Sequence, residues 1–133
     1  MIVVDTNVIA YFLLKGPHTL EAEGVYKKDR DWIAPPLWRS EFRNVLILSI
    51  RQAILSLDEA LSTMDRAERL MMGHGYQKDS SQILRLAAGS GCSAHDCEFV
   101  ALALELGVPM VSSDRMLIQR FKPKVISMKA FCS

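Results

Sequence analysis

Four carboxylates in this chain are set where a carboxylate is costly or where it could act. Asp5 ends the apolar run Ile2-Val3-Val4 and opens the polar step Asp5-Thr6-Asn7. Asp114 follows Met110-Val111-Ser112 in the same way. Glu41 lies within the helical stretch from Leu37 to Ala53. At roughly 100° per residue, Leu37, Val45 and Leu48 fall within about 40° of it around the axis. Glu41 therefore projects from an apolar stripe, with Asn44 the only other polar residue near that line, and burial there costs several kcal/mol unless a cation or donors meet it. Asp96 shares a helix side with Val100 and Ala103, and Phe99 is slightly farther round. Simpler roles compete: Asp5 could cap the next helix, and Ser93-x-x-Asp96 is a capping-box pattern. Glu41 lies beyond the first turn and has no such role.

Four carboxylates brought together without a cation repel one another and raise their own pKa values. A hard divalent ion resolves the conflict. Mg²⁺ or Mn²⁺ prefers oxygen ligands, keeps several waters and leaves positions open for phosphate oxygens. Such a centre would lower the pKa of a bound water and neutralise charge on a phosphodiester under attack. Asp5, Asp96 and Glu41 would hold the first ion, and Asp114 would complete that site or help hold a second.

The elements that must position these groups alternate. Ile2-Val3-Val4, with no polar residue between them, reads as a strand buried on both faces of a parallel sheet. A helix-compatible segment runs from Val8 to Leu14 and breaks at Lys15-Gly16-Pro17. His18 to Asp29 is a polar helix with a weak inward face of Leu20, Ala22 and Val25. Trp32-Ile33-Ala34 is a second strand, and Pro36 suits the first turn of the helix over Leu37 to Ala53. Ser56-Leu57-Asp58-Glu59 opens a helix to about Met72, ended by Gly73-His74-Gly75. Tyr76 to Ala88 is a further helix, closed by Gly89-Ser90-Gly91. The helix after Ser93 runs to Gly107. Strands at Pro109 to Ser112 and Val125 to Ser127 flank a short helix from Arg115 to Phe121. This order predicts an α/β fold around a parallel sheet, and strand ends at a reversal of strand order would lie side by side.

The 133 residues fit a single domain, 1–133, with a real core. A net charge of +1 supplies no global field, so any nucleic-acid contact must use a local patch. Cys92, Cys97 and Cys132 are an odd set without metal-type spacing, which suggests reduced thiols in the cytoplasm. Apolar stretches broken by Asp5 and Lys15 support neither a signal peptide nor a membrane span.

In this order and spacing the motifs resemble a PIN-domain ribonuclease, in particular the small toxins of the VapC type. The resemblance runs over nearly the whole chain. It rests on Asp5-Thr6-Asn7, Pro36-Leu37 with Glu41 and Asn44-Val45-Leu46, Ser93-Ala94-His95-Asp96, Val100-Ala101-Leu102-Ala103, Gly107-Val108-Pro109 and Ser112-Ser113-Asp114. It implies a three-layer α/β/α fold with four or five short parallel strands. The family's acidic quartet maps to Asp5, Glu41, Asp96 and Asp114, and its strand-end hydroxyls to Thr6 and Ser112. The implied activity is Mg²⁺- or Mn²⁺-dependent RNA hydrolysis giving 5′-phosphate and 3′-hydroxyl ends. The implied partners are an RNA substrate, a second copy in a homodimer, and a VapB-like antitoxin whose C-terminal segment crosses the acidic groove. Two positions depart from the pattern. His95 stands where an aromatic residue is common, and Cys97 stands where alanine is usual.

Substrate contacts are less marked. Lys15, Arg39, Arg43, Arg115, Arg120, Lys122 and Lys124 are candidates for a basic rim. Arg115, next to Asp114, is the strongest for phosphate, and His95 could touch RNA. Arg39 and Arg43 lie roughly opposite Glu41, which favours solvent or a partner. The loop from Gly73 to Asp79 could select the target. A phosphoryl-accepting receiver would need a middle-strand aspartate and a later lysine, and no such pair is present. An aspartate-nucleophile phosphatase would want a second aspartate where Asn7 stands. The remaining rival is a catalytically silent PIN-like RNA-binding or scaffold domain.

Overall fold

The computed structural model describes residues 1–72 and 79–133. The expected end of one helix at Gly73-His74-Gly75 and the expected start of the next at Tyr76 lie outside the described residues.

Four short strands, β1 (Ile2–Val4), β2 (Trp32–Ile33), β3 (Met110–Ser112) and β4 (Val125–Ser127), form one sheet in the order β2-β1-β3-β4. All three pairings are parallel, with Val3 beside Met110 and Val4 beside Val111. β1, β2 and β3 are buried throughout, as continuous apolar runs covered on both faces must be. The eight helices among the described residues are α1 (Thr6–Leu13), α2 (Thr19–Lys28), α3 (Leu37–Arg51), α4 (Leu57–Leu70), α5 (Ser80–Ser90), α6 (Ala94–Leu106), α7 (Arg115–Arg120) and α8 (Met128–Cys132). α1 and α8 pack on β3, while α6 packs on β1 and β3 with α5 behind it. The result is the expected three-layer α/β/α arrangement. Among the described residues, no helix is long and apolar enough to cross a membrane.

Local chemistry sets the boundaries. Ser56 and Glu59 close the expected capping box at the start of α4. Gly91 and Gly107 end α5 and α6 with φ of 76° and 66°, where a glycine avoids the left-handed penalty. α1 starts at Thr6 rather than Val8, because Asp5 caps it. α3 stops at Arg51, two residues before Ala53 turns to φ 58°. β2 and β3 are each one residue shorter than expected, and α8, capped by Ser127, was not anticipated. Leu20 is exposed, so the inward face of α2 is Ala22 and Val25, with the half-buried Tyr26 ring against Phe12 and Trp32.

The orientation of α3 corrects one expectation. Its buried residues are Trp38, Phe42 and Leu46, and Leu48 is 46% exposed. The stripe through Leu37, Glu41 and Val45 is only half-buried. The neighbouring aromatic stripe offers more apolar area and takes the core, leaving Glu41 on the flank. Phe42→Ala should therefore cost about 4 kcal/mol in urea unfolding, whereas Leu48→Ala should stay within about 0.5 kcal/mol. Equal costs would mean that the helix is turned the other way.

Candidate active site

The site begins where β1 and β3 end. β1 connects outward to β2 on one side and lies against β3 on the other, so the strand order reverses between β1 and β3. The Asp5 N–H donates to the Val111 carbonyl at 3.2 Å, and from there the two chains leave the sheet side by side. Asp5 is buried and receives three hydrogen bonds. The Val8 N–H donates to Oδ1 at 3.0 Å, while the Ser112 hydroxyl and the Ser113 N–H donate to Oδ2 at 2.5 and 3.2 Å. Ser112 Oγ also accepts from the Asp114 N–H at 3.0 Å, so one buried hydroxyl ties the two strand-end aspartates together. Asp114 caps α7, accepting from the N–H groups of Met116 and Leu117.

Two helices bring the other carboxylates. Thr6 Oγ1 donates to Glu41 Oε1 at 2.6 Å, which joins the first residue of α1 to α3. Asp96 is in the first turn of α6, its N–H held by Ser93 Oγ at 3.0 Å. Asn7 Nδ2 donates to Ser113 Oγ at 3.4 Å across the rim. Asp5, Thr6, Asn7, Glu41, Asn44, Val45, Asp96, Phe99 and Asp114 line one cleft of about 240 Å³. The structure thus brings all four sequence-predicted carboxylates to one place.

The electrostatics of the cleft are those of an unbalanced acidic centre. Burial pushes the Asp5 carboxyl up to about 6, although the bonds from Ser112, Val8 and Ser113 pull the other way; the Asp96 charge adds to the rise. Asp96 is also raised, first by partial burial and then by the Asp114 charge, against the opposing effects of Ser93 and His95. Among the described residues, no lysine, arginine or histidine lines the cleft. Among the described residues, no three His, Cys, Asp or Glu side chains are drawn into a closed ligand cluster. The donor set nevertheless fits a hard divalent ion: carboxylate oxygens around an open space, with hydroxyl and amide oxygens beside them.

The other expected residues fall in several places. Ser112 lies buried beneath the cleft and acts through Asp5 and Asp114. His95 and Arg115 are exposed near the rim and do not line the cleft. Arg39 faces Glu68 at 3.7 Å and lies over the Trp38 ring, in keeping with a role away from the acidic centre. Lys15 borders a separate hollow with Glu59 and Arg66. Sequence reasoning gave Ser113 no role, although its N–H holds Asp5 and its hydroxyl meets Asn7. The step Ser112-Ser113-Asp114 carried a signal for it, since small polar residues after a strand serve as local donors.

A raised native pKa makes Asp5 a source of pH dependence. Its contribution to stability is fully present below about pH 4 and is lost as the pH rises through about 6. A rise of about two units at ~1.4 kcal/mol each amounts to about 3 kcal/mol. In chelating buffer, urea unfolding should show wild type losing about that much more stability than Asp5→Asn between pH 4 and 7. Parallel pH profiles would rule out the burial effect.

Comparison with known proteins agrees with this arrangement. The chain is 25% identical to Ribonuclease VapC3 of Pyrobaculum aerophilum over 123 residues, which cover 90% of this chain and 94% of the relative. Its fold matches the crystal structure of PAE2754 from Pyrobaculum aerophilum with a TM-score of 0.78 and 16% identity. That match covers 98% of this chain and 85% of the other. The PIN domain family pattern matches residues 2–122. By that match, with its strand-end aspartates meeting over a parallel sheet, the chain belongs to the PIN domain family.

Proposed function

We propose that this chain is a Mg²⁺- or Mn²⁺-dependent endoribonuclease, and the toxin of a toxin–antitoxin pair. One observation carries the reading: four carboxylates from separate parts of the chain line a cleft that, among the described residues, has no basic side chain in its lining. Membership of the PIN family and the likeness to a protein named Ribonuclease VapC3 support it. Asp5, Glu41, Asp96 and Asp114 would hold the cation, which when bound supplies an acidified water and charge neutralisation at the phosphate.

The chain's own groups do the positioning. Ser112 and the N–H groups of Val8 and Ser113 fix both oxygens of Asp5, so its carboxylate cannot turn away. Thr6 fixes Glu41. Asn7 and Asn44 present amides at the rim for ribose or phosphate oxygens. Arg115 and His95, outside the cleft, would meet the RNA backbone and offset the repulsion between an acidic centre and a polyanion. Residues 1–133 act as one unit, cut RNA to 5′-phosphate and 3′-hydroxyl ends in the cytoplasm, and function as a homodimer restrained by a VapB-like antitoxin.

A labelled total-RNA pool incubated with purified protein tests the reading. Discrete fragments should appear with Mg²⁺ or Mn²⁺, disappear with EDTA, and be absent for Asp5→Asn. Thr6→Val should cut about 10–100-fold more slowly, because Glu41 loses the donor that orients it. Folded wild-type protein that binds RNA without cutting it would favour the silent RNA-binding domain. Cutting that survives both EDTA and Asp5→Asn would place the chemistry elsewhere.

A further inference from the structure

Beside the cleft lies a pair of thiols that the proposed hydrolysis does not use. Cys132 is exposed, whereas Cys92 and Cys97 are both buried. Cys92 stands immediately before Ser93, the cap of α6, and Cys97 is the fourth residue of that helix. These are the two positions at which the chain leading into a helix packs back on its first turns, side chain against side chain. One serine joins them: Ser90 Oγ accepts from the Cys92 N–H at 3.1 Å and lies 4.0 Å from Cys97 Sγ. Alanine, expected from the family pattern at position 97, would serve this packing role without sulfur.

We propose that Cys92 and Cys97 form a reversible disulfide across the start of α6, which shifts Asp96 and makes the acidic cleft sensitive to thiol redox conditions. Cys92 is 8% exposed and Cys97 fully buried, so exchange starts at Cys92. Its thiolate attacks one sulfur of a low-molecular-weight disulfide such as oxidised glutathione, expelling one glutathione thiolate. Cys97 then attacks the Cys92 sulfur of the mixed disulfide, forms the bridge and expels the second. The two protein thiols give up two electrons and two protons, and the glutathione disulfide is reduced to two thiols. The new bond is about 2.05 Å long, so closing it draws Cys92 and Cys97 together across the start of α6. Asp96 lies inside the closed ring, next to Cys97, and moves with it. The effect on cation binding rests on the role proposed above for Asp96, whereas bond formation does not.

Mass spectrometry separates the two parts. Trypsin leaves both cysteines on the single peptide from Leu86 to Arg115. In wild-type protein equilibrated with oxidised glutathione, this peptide should lose two hydrogens and regain them with dithiothreitol. The Mn²⁺ concentration needed to raise the melting temperature should be about tenfold higher for the oxidised protein. Cys97→Ala should form no bridge and give the same Mn²⁺ response under both conditions. Two free thiols, or only a mixed glutathione disulfide, would overturn the proposal. A bridge with an unchanged Mn²⁺ response would overturn the coupling to Asp96. Reduced protein that ignores Mn²⁺ would overturn the metal reading and the coupling, leaving the bridge judged by mass alone.

Discussion

The site depends on β1 and β3 lying side by side in parallel. That pairing sets the Asp5 N–H on the Val111 carbonyl and so fixes where both chains leave the sheet. Only then can one hydroxyl, that of Ser112, reach Asp5 and also receive the Asp114 N–H. A slip of one residue in this register would turn Ser112 to the other face of the sheet and unmake both contacts. The apolar runs that build the strands therefore also place the acids.

The centre works against the fold that carries it. Asp5 is taken out of water and provided with donors that hold its charged form, yet burial outweighs them. With acidic neighbours and, among the described residues, no basic side chain in the lining, the cleft stores electrostatic free energy that an external positive charge could release. Thr6 and Ser112 donate to the Glu41 and Asp5 carboxylates, and Ser93 accepts from the Asp96 backbone N–H, so each joins or anchors an element beside the cleft. Local rules are broken at this point and obeyed around it, as expected of a functional centre.

Much of this was legible in the sequence because a few strong signals coincide. Unalternating apolar runs marked the strands, and an acid at the end of two of them marked the rim. Glu41 lines the cleft, but the apolar stripe that singles it out is an incomplete reason. Its stripe is half-buried, because Trp38 and Phe42 on the adjoining stripe take the core, a competition that periodicity alone does not decide. The hydrogen bonds from Ser112 and Ser113 to Asp5 span over a hundred residues and depend on strand register, which a one-dimensional reading does not supply. Arg115 was favoured from its adjacency to Asp114, but neighbours in sequence at a helix start point in different directions, and its side chain lies outside the cleft.

The long reach from Asp5 to Ser112 also sets when the centre can exist. Asp5 is made 107 and 108 residues ahead of Ser112 and Ser113, which supply two of its three donors. During vectorial synthesis on the ribosome, β3 must emerge before the central strands can pair and the four acids can meet. A nascent chain shorter than this would carry Asp5 and Glu41 without a formed cleft. Such a topology withholds the acidic cleft until both halves of the sheet have been made.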